Sequence, residues 1–389
     1  MSNLHHPKTL AVFQGLKTPF YYYDLSILER TLQEIQRCIK SSPFHVHYAI
    51  KANANPRVLE MVKKYKFGID CVSGNEIKKA IELGFDPSEI AFAGVGKTND
   101  EVNLGLEHQI FTFNVESLAE LEVIDQFAQA KSTIANVAIR LNPNVNANTH
   151  QYITTGLEEN KFGINYWELE SLFELLTKCT NISLKGIHFH IGSQITDLSV
   201  FKNLCNRVNE LQTAFHDRGY FLEHINVGGG LGVNYQDPDA EIIPDFNRFF
   251  DIFKQFIRLE SNQQLHFELG RSVVAQCASL ISRVLFVKKG IKTNFAILDA
   301  GMTDLIRPAL YQASHKIENL SNYSQKAAEK YDVVGPICES SDCFGKALLL
   351  PQTKRDDIIA IRSVGAYGEV MSSNYNLRNN AKIYFHDEF

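Results

Sequence analysis

The sequence contains no paired cysteine motif: its seven cysteines are scattered singly along 389 residues. It has neither a CxxC framework nor the His and Cys spacing of a zinc site, which disfavours a disulfide-stapled secreted domain and a zinc enzyme. An odd number of separate thiols suits a reducing compartment. We therefore expect a cytoplasmic protein without a bound metal.

Long apolar runs and blocks of like charge are also missing. No run approaches the roughly 18 residues of a membrane-spanning helix, and the first residues lack the basic and apolar regions of a secretory signal. The net charge of −5 provides no general attraction to nucleic acid or to an anionic membrane. The sequence thus predicts a globular protein that binds neither.

Strand-like and helix-like segments alternate over the first two thirds of the chain. The strand candidates are 45–50, 67–71, 90–94, 111–114, 134–141, 183–190, 222–227 and 264–269. Helical patterns lie near 56–65, 74–83, 99–108, 116–129, 166–179, 198–217 and 245–259. Eight strands alternating with helices predict an α/β fold whose parallel sheet closes as a (β/α)8 TIM barrel. An open doubly wound sheet is the alternative.

The remainder of the chain is rich in short β-like runs. These are 272–288, 293–299, 331–337, 345–350 and 357–362, separated by Gly, Pro, Asp and Asn. Residues 8–23 also look like short strands, and Asp24 after them is expected to cap a helix. We predict a barrel domain over 24–271 and a second, mostly antiparallel β-domain built from 1–23 and 272–389.

Lys51 directly follows the first predicted barrel strand. The carboxyl ends of parallel strands carry the chemistry of α/β proteins, and an amine in an apolar neighbourhood loses its proton more readily. A neutral lysine can form a Schiff base with an aldehyde. Taken alone, a lysine at a strand end more often reaches solvent, so the assignment depends on the rest of the chain.

The last three barrel strands end in residues suited to a phosphorylated cofactor. They run into His190-Ile-Gly-Ser193, Gly228-Gly-Gly230 and Glu268-Leu-Gly270-Arg271. Glycines let backbone N–H groups converge on an anion, so Ser193, Gly230, Gly270 and Arg271 are candidates for a phosphate site. With Lys51 for an imine and Glu268 beside a pyridine nitrogen, these residues suggest pyridoxal phosphate. His190 would lie against the ring, or else be an ordinary core histidine.

The second domain adds candidate substrate contacts. Arg307 and Tyr311 are four residues apart and would share a helix face, and an arginine fork suits a carboxylate. Cys338 precedes Glu339 in a loop, where a thiol is able to donate a proton to a carbanion, although an ordinary buried thiol is the alternative. Gly365-Ala-Tyr367-Gly368 resembles a tight turn, and the long polar insertion 142–164 is typical of a loop that serves a site.

These motifs, in this order and spacing, resemble the diaminopimelate decarboxylase family of the alanine-racemase-like pyridoxal phosphate enzymes. The likeness runs from Tyr48-Ala-Ile-Lys51-Ala-Asn53 to Ser372-Ser-Asn-Tyr-Asn376. It also includes Asp70-Cys-Val-Ser73, Lys161-Phe-Gly-Ile164 and Cys338-Glu-Ser340. The resemblance implies decarboxylation of meso-2,6-diaminopimelate to L-lysine and CO2, the last step of lysine biosynthesis.

The resemblance also implies a role for each matching residue. Lys51 would carry the cofactor imine and Cys338 would protonate the carbon that loses CO2. The cofactor would be held by Lys51, Asp70, His190, Ser193, Gly229, Gly230, Glu268, Gly270, Arg271 and Tyr367. The substrate would be bound by Arg271, Arg307, Tyr311, Glu339 and Tyr367. A homodimer with shared active sites is implied, in which Cys338 and Glu339 act in the partner's site.

Two positions depart from the family pattern, and three other functions compete with it. Leu269 stands where the family usually has Pro, and Glu369 stands where a smaller or apolar residue is commoner. The nearest rival is a related decarboxylase acting on ornithine, arginine or carboxynorspermidine. The Lys161–Ile164 motif and the Arg307/Tyr311 pair favour instead a substrate with a second, distal carboxylate. Glu268 disfavours a racemase. A catalytically inactive homologue would have lost Lys51 or Cys338.

Overall fold

The protein is described by a computed structural model covering residues 3–145 and 161–389. The chain divides into two compact units. The barrel unit comprises Leu32–Gly232 and Asp245–Gly270, and the β unit comprises the residues up to Thr31, Val233–Pro244 and Arg271–Phe389. Relative to the predicted boundaries, residues 24–31 and 233–244 lie with the β unit. The second segment is held there by Asp239, whose carboxylate binds Lys316 and Arg362.

The barrel unit is a closed sheet of eight parallel strands, which confirms the predicted TIM barrel. Its strands are β2 Phe44–Ala49, β3 Gly68–Cys71, β4 Ile90–Phe92, β5 Thr112–Val115, β6 Ala135–Arg140, β7 Ile182–His188, β8 His224–Asn226 and β9 Gln264–Leu269. Each pairs with its neighbours in sequence order, and β9 closes the ring by pairing with β2. The alternation of apolar strands with helices was therefore sufficient to predict the topology.

Helices lie between consecutive barrel strands wherever periodicity predicted them. The helices of the whole described chain are α1 Pro7–Gly15, α2 Leu25–Ile39, α3 Pro56–Lys64, α4 Gly74–Glu82, α5 Asn99–His108, α6 Leu118–Ala130, α7 Leu169–Leu176, α8 Ser199–His216, α9 Phe246–Phe256, α10 Arg271–Val274 and α11 Arg307–Tyr311. Local caps begin many of them: Asn55 accepts the Arg57 N–H in front of Pro56, and Thr98 forms a capping box with Glu101. None of the helices in the described ranges is long and apolar enough to cross a bilayer.

The β unit contains a mixed sheet of eight strands. They are β1 Phe20–Tyr23, β10 Ala278–Lys288, β11 Asn294–Leu298, β12 Ile317–Asn319, β13 Glu329–Val334, β14 Cys343–Leu350, β15 Ile358–Ile361 and β16 Lys382–Phe385. Pairing is antiparallel except between β1 and β16 and between β11 and β13. The prediction of a mostly antiparallel sheet that includes an N-terminal strand is confirmed.

The prediction of strands over residues 8–19 is wrong, because this part of the chain contains α1. Pro7 occupies the first turn, and the His6 ring accepts the Lys8 N–H at 3.3 Å. Leu10 and Phe13, three residues apart, pack with Phe20 in the core of the β unit. The interleaved apolar residues around Val12 hid this helical spacing. Similarly, the run predicted as β from residue 272 begins with the short helix α10.

Asp24 caps α2 as predicted. Its Oδ1 atom accepts the backbone N–H of Ser26 at 3.0 Å, and the apolar positions Leu28, Leu32 and Ile35 are fully buried. The carboxylate thus satisfies a donor that the first turn of a helix leaves without a partner.

Candidate active site

Strand pairing brings Lys51 beside Asp70 at the carboxyl end of the barrel. Ala49 of β2 is in register with Asp70 of β3, and Lys51 follows in the 3₁₀ turn Ile50–Ala52. The Lys51 Nζ atom lies 2.9 Å from Asp70 Oδ2. The Lys51 side chain is 38% exposed, so the expected apolar neighbourhood is wrong: the amine is accessible and contacts a carboxylate. Such a contact favours the charged amine until a reaction partner replaces it.

Asp70 is completely buried, and Lys51 is the positive charge that pairs with its carboxylate. Burial raises the pKa of Asp70 to about 7, the nearby charge of Glu268 adds to this, and Lys51 acts in the opposite direction. Asp70 Oδ1 has no hydrogen-bond partner among the described residues. A buried acceptor left in this state is suited to an additional polar ligand at the end of β3.

Glu268 is held by side chains from three other strands. Its Oε1 atom accepts hydrogen bonds from Asn114 Nδ2 at 3.0 Å and Asn226 Nδ2 at 2.8 Å, and His188 Nε2 lies 3.0 Å from Oε2. Burial raises the pKa of Glu268, but its interactions with His188, Lys51 and His190 outweigh burial and lower the pKa below its usual value. The result is a buried carboxylate that stays anionic and oriented, as a partner for a protonated pyridine nitrogen requires.

His190 follows β7 and is kept neutral. Burial lowers its pKa to about 3, and the positive charges of Arg140 and Lys51 contribute to this. The backbone N–H of Gly229 points to His190 Nδ1 at 3.3 Å, which makes Nδ1 the acceptor and assigns the ring proton to Nε2. A neutral imidazole fixed in this way presents a flat face suitable for stacking on an aromatic cofactor.

The loops after β7 and β8 are joined by backbone hydrogen bonds. The Ile195 N–H donates to the Gly230 carbonyl, and the Gly232 N–H donates to the Ile195 carbonyl. Gly230 has φ +112°, and a Cβ atom on it would lie 2.8 Å from the Gly192 carbonyl oxygen, so only glycine suits this position. Ser193 lies within this paired segment, and the arrangement brings the predicted serine and glycine candidates of the two loops together.

Gly270 lies at the end of β9, beside the turn that carries Lys51. A Cβ atom placed on it would come within 3.0 Å of the Ala52 Cβ and 3.1 Å of the Ala49 Cβ. The neighbouring Leu269, which stands where the family usually has proline, is buried in the structure. Small residues therefore pack closely around the base of Lys51, and even an alanine at Gly270 would require Ala49 and Ala52 to shift.

A buried carboxylate also fixes the residues that return from the polar insertion. Glu116 Oε1 contacts Arg140 Nη1 at 2.6 Å, and Oε2 accepts the Gly163 N–H at 3.1 Å. The Arg140 guanidinium also lies 4.8 Å from the centre of the Phe162 ring. The Lys161–Ile164 motif is therefore attached to the ends of β5 and β6. Residues 146–160 of the predicted loop lie outside the described residues.

In the β unit, two buried arginines lie against one tyrosine. Arg271 Nη1 donates to Tyr235 Oη at 2.8 Å, and the Arg307 guanidinium lies 4.5 Å from the centre of the Tyr235 ring. Burial raises the pKa of Tyr235, but the two guanidiniums together lower it by more than burial raises it. The net effect is a pKa below the usual value for tyrosine. Arg307 makes no ion pair with any residue in the described ranges and thus retains positive charge for an anionic ligand.

Tyr367 and Tyr311 belong to the same part of the β unit. The predicted turn is present, and within it Tyr367 has φ +57° and places its ring 4.8 Å from the Arg271 guanidinium. Tyr311 ends α11, which begins with Arg307, so the predicted helical pairing of these two residues is confirmed. Glu369, the second departure from the family pattern, accepts a hydrogen bond from the Tyr23 hydroxyl at 2.8 Å.

Cys338 and Glu339 lie on a separate, exposed loop of the β unit. The buried Asp342 carboxylate shapes this loop by accepting the N–H groups of Met302 and Ile337, both at 2.6 Å. Cys338 is exposed, which excludes the alternative of an ordinary buried thiol. Glu339 accepts a hydrogen bond from the Tyr375 hydroxyl at 2.8 Å. Within the part of the chain that the structure describes, no group hydrogen-bonds to the thiol, so it remains open to solvent or to another molecule.

Several residues that shape these clusters were not predicted. Asn114 and Asn226 reach Glu268 from other strands, and His315 contacts Arg307. Each asparagine stands within a buried strand, where an amide is uncommon, and this was the available signal. Tyr235 follows the Gly228–Gly232 run within five residues, but nothing in the local pattern pointed to it.

The chain matches known proteins over nearly its whole length. The sequence model of a family described as "Pyridoxal-dependent decarboxylase, pyridoxal binding domain" matches residues 25–275. A diaminopimelate decarboxylase of Bacteroides thetaiotaomicron is 56% identical over 377 residues, which cover 97% of each chain. This chain belongs to the diaminopimelate decarboxylase family. The pyridoxal phosphate cofactor predicted from Lys51 and Glu268 is therefore confirmed for the family to which the chain belongs.

Solved structures of diaminopimelate decarboxylases have the same fold. The crystal structure of the Helicobacter pylori enzyme complexed with L-lysine is 37% identical, with a TM-score of 0.90 over 97% of this chain and 94% of that one. The Paramecium bursaria Chlorella virus arginine decarboxylase has a TM-score of 0.84 at 20% identity, which shows a shared fold alone. The residues of this chain also fit the cofactor: Asp70 offers a buried acceptor, Glu268 an oriented carboxylate and Lys51 an accessible amine.

Proposed function

We propose that this protein decarboxylates meso-2,6-diaminopimelate to L-lysine and CO2 with pyridoxal phosphate as cofactor. The reaction class follows from family membership. The observation that carries the substrate assignment is Arg307, a buried guanidinium that has no ion pair with the described residues. A buried cation of this kind is stabilised by a ligand anion, and diaminopimelate retains one carboxylate after the other has left as CO2.

The cofactor is assigned to Lys51 and nine further residues. Lys51 would bind it covalently, and Asp70, His190, Ser193, Gly229, Gly230, Glu268, Gly270, Arg271 and Tyr367 would hold it. When bound, pyridoxal phosphate draws electrons away from the α-carbon of an amino acid, which is the chemistry that a decarboxylation requires. Glu268 would support this by remaining anionic, and His190 by remaining neutral against the ring.

The chain's own groups would orient the substrate and move its protons. Arg271, Arg307, Tyr311, Tyr367 and Glu339 would bind the substrate, and Lys51 would exchange places with the substrate amine. Cys338 would deliver a proton to the carbon from which CO2 has left. Its exposure in a single chain is consistent with a homodimer in which Cys338 and Glu339 of one protomer serve the site of its partner.

We also propose a cytoplasmic location. All seven cysteines are free in the described chain, as is usual for proteins of a reducing compartment.

A substrate panel tests the proposal. Purified protein is incubated with pyridoxal phosphate and separately with meso-diaminopimelate, L-ornithine, L-arginine or carboxynorspermidine, and released CO2 is measured. CO2 from meso-diaminopimelate, with at most traces from the other three, is the expected result. Preferential release from ornithine, arginine or carboxynorspermidine would instead identify the related decarboxylase that shares this fold.

A further inference from the structure

The hydroxyl of Tyr235 lies in an environment composed of hydrogen-bond donors. Tyr235 is 8% exposed, and its Oη atom accepts a hydrogen bond from Arg271 Nη1 at 2.8 Å. A guanidinium carries donors only and cannot accept the phenolic proton. The Arg307 guanidinium, 4.5 Å from the centre of the Tyr235 ring, likewise has no atom that could accept this proton. Within residues 3–145 and 161–389, no group accepts the Tyr235 O–H, which therefore remains available to a ligand.

His315 holds Arg307 without neutralising it. Arg307 Nη1 lies 3.0 Å from His315 Nε2, and His315 Nδ1 lies 2.8 Å from the Arg362 carbonyl oxygen. The carbonyl can only accept, so Nδ1 carries the proton and Nε2 accepts from the arginine. Burial lowers the pKa of His315 to about 3, which keeps the imidazole neutral in this role. The guanidinium is thus positioned while its positive charge is left uncompensated.

Arg307 supplies a second donor that needs an acceptor. Its Nε atom is buried and has no hydrogen-bond partner among the described residues. The Arg307 Nε–H and the Tyr235 O–H therefore both lack an acceptor in the same tyrosine-centred cluster. Two unsatisfied donors next to two positive charges match an anion with several acceptor oxygens, such as a carboxylate.

We propose that the Tyr235 hydroxyl donates a hydrogen bond to the carboxylate that the substrate retains, alongside Arg271 and Arg307, and that it is a specificity-determining residue. This inference rests on the proposed function, because it takes the anion to be the second carboxylate of diaminopimelate. His315 is a positioning residue in the same arrangement, since it accepts a hydrogen bond from Arg307, donates one to a backbone carbonyl and packs edge-on against the Tyr235 ring at 4.9 Å.

Tyr235→Phe tests the inference with a minimal change, because the ring that packs against both guanidiniums remains. Three quantities are measured on the holoenzyme: kcat and KM for meso-diaminopimelate, and the affinity for pimelate determined by calorimetry. Pimelate has both terminal carboxylates of the substrate but neither amine, so its binding does not depend on turnover. The matched control is Tyr323→Phe, at a 53% exposed tyrosine of the same unit.

The expected result is a roughly tenfold to hundredfold increase in KM and in the pimelate dissociation constant, which is the effect of losing a hydrogen bond to a charged group. kcat and the cofactor absorbance should remain near the wild-type values, and Tyr323→Phe should change none of these quantities. A loss confined to kcat would indicate a structural or catalytic effect and would contradict a role in specificity.

Two other outcomes would overturn the inference. Unchanged KM and unchanged pimelate affinity in an otherwise active Tyr235→Phe enzyme would remove Tyr235 from carboxylate binding. Loss of bound cofactor with normal pimelate affinity would show that the hydroxyl donates to the cofactor phosphate instead. A wild-type protein that binds pimelate but releases no CO2 from diaminopimelate would contradict the proposed function, a failure distinguishable from the other two.

Discussion

Lys51 Nζ and Asp70 Oδ2 lie 2.9 Å apart because two neighbouring barrel strands end in register. The two residues are 19 positions apart in sequence, and they come into contact only because β2 and β3 pair. The pairing gives an accessible lysine a defined position and a buried partner at the end of the barrel where α/β enzymes carry their chemistry.

Replacing Lys51 with alanine should abolish both turnover and the absorbance of the imine with pyridoxal phosphate. The side chain supplies the only amine proposed to bind the cofactor covalently. Absorbance spectra and CO2 release are the measurements, with Lys254→Ala, a surface lysine paired with Asp251, as the control. An intact imine band in the Lys51 variant would exclude this lysine as the attachment site.

Cys338→Ala should retain the cofactor but slow product formation. A general acid contributes about a hundredfold or more to a proton transfer, and the exposed Cys338 thiol is the proposed donor. We expect a normal cofactor spectrum with a decrease in lysine formation of about this size, while Cys179→Ala behaves as wild type. A near-normal rate in the Cys338 variant would require another proton donor.

Mixing two inactive variants should restore activity if protomers share their sites. Lys51→Ala and Cys338→Ala chains are denatured together, refolded and assayed. When chains pair at random, about half of the dimers contain one chain of each variant. Each such dimer has one site with both Lys51 and Cys338 and one site with neither, so activity should recover to about a quarter of wild type. Recovery in the mixture but in neither variant alone is the expected observation. Without recovery, Cys338 would have to act within its own protomer.

The barrel should lose stability as the pH falls below about 6.5. His224, His47 and His266 are buried, and burial lowers the pKa of His224 to about 3 and that of His47 to about 4. The unfolded chain binds protons at these histidines near pH 6.5, whereas the folded barrel does not. Their contribution to stability is therefore complete above that pH and is lost as the pH falls toward the folded pKa values.

His224→Phe isolates this effect because phenylalanine cannot bind a proton. Between pH 7.5 and 5.0, the free energy of unfolding should fall by about 2 kcal/mol less in the variant than in wild type. Urea unfolding at the two pH values measures the difference. His216→Phe, at an exposed helix end, should retain the wild-type pH dependence. Equal pH dependence in all three proteins would mean that His224 is protonated in the folded state.

The barrel and the order of its motifs were predictable from local patterns. Lys51, Gly230 and Glu268 each follow or end a strand whose apolar period is visible in the sequence. The network around Glu268 was not predictable, because Asn114, Asn226 and His188 come from three different strands and meet only through closure of the sheet. Tyr235 was missed because its partner Arg271 is distant in sequence, and His315 because no local pattern indicates that it contacts Arg307. Helix α1 was missed because its apolar residues fit the period of a strand as well as that of a helix.

The proposed reaction is tested most directly by the fate of the proton that replaces CO2. The protein is incubated with pyridoxal phosphate and meso-diaminopimelate in D2O, and the lysine formed is analysed by mass spectrometry and on a chiral column. Decarboxylation followed by protonation predicts L-lysine carrying one carbon-bound deuterium, at the carbon that lost the carboxylate, with an equal amount of CO2. Deuterium exchanged into diaminopimelate without lysine or CO2 would contradict the decarboxylase assignment and would indicate a racemase.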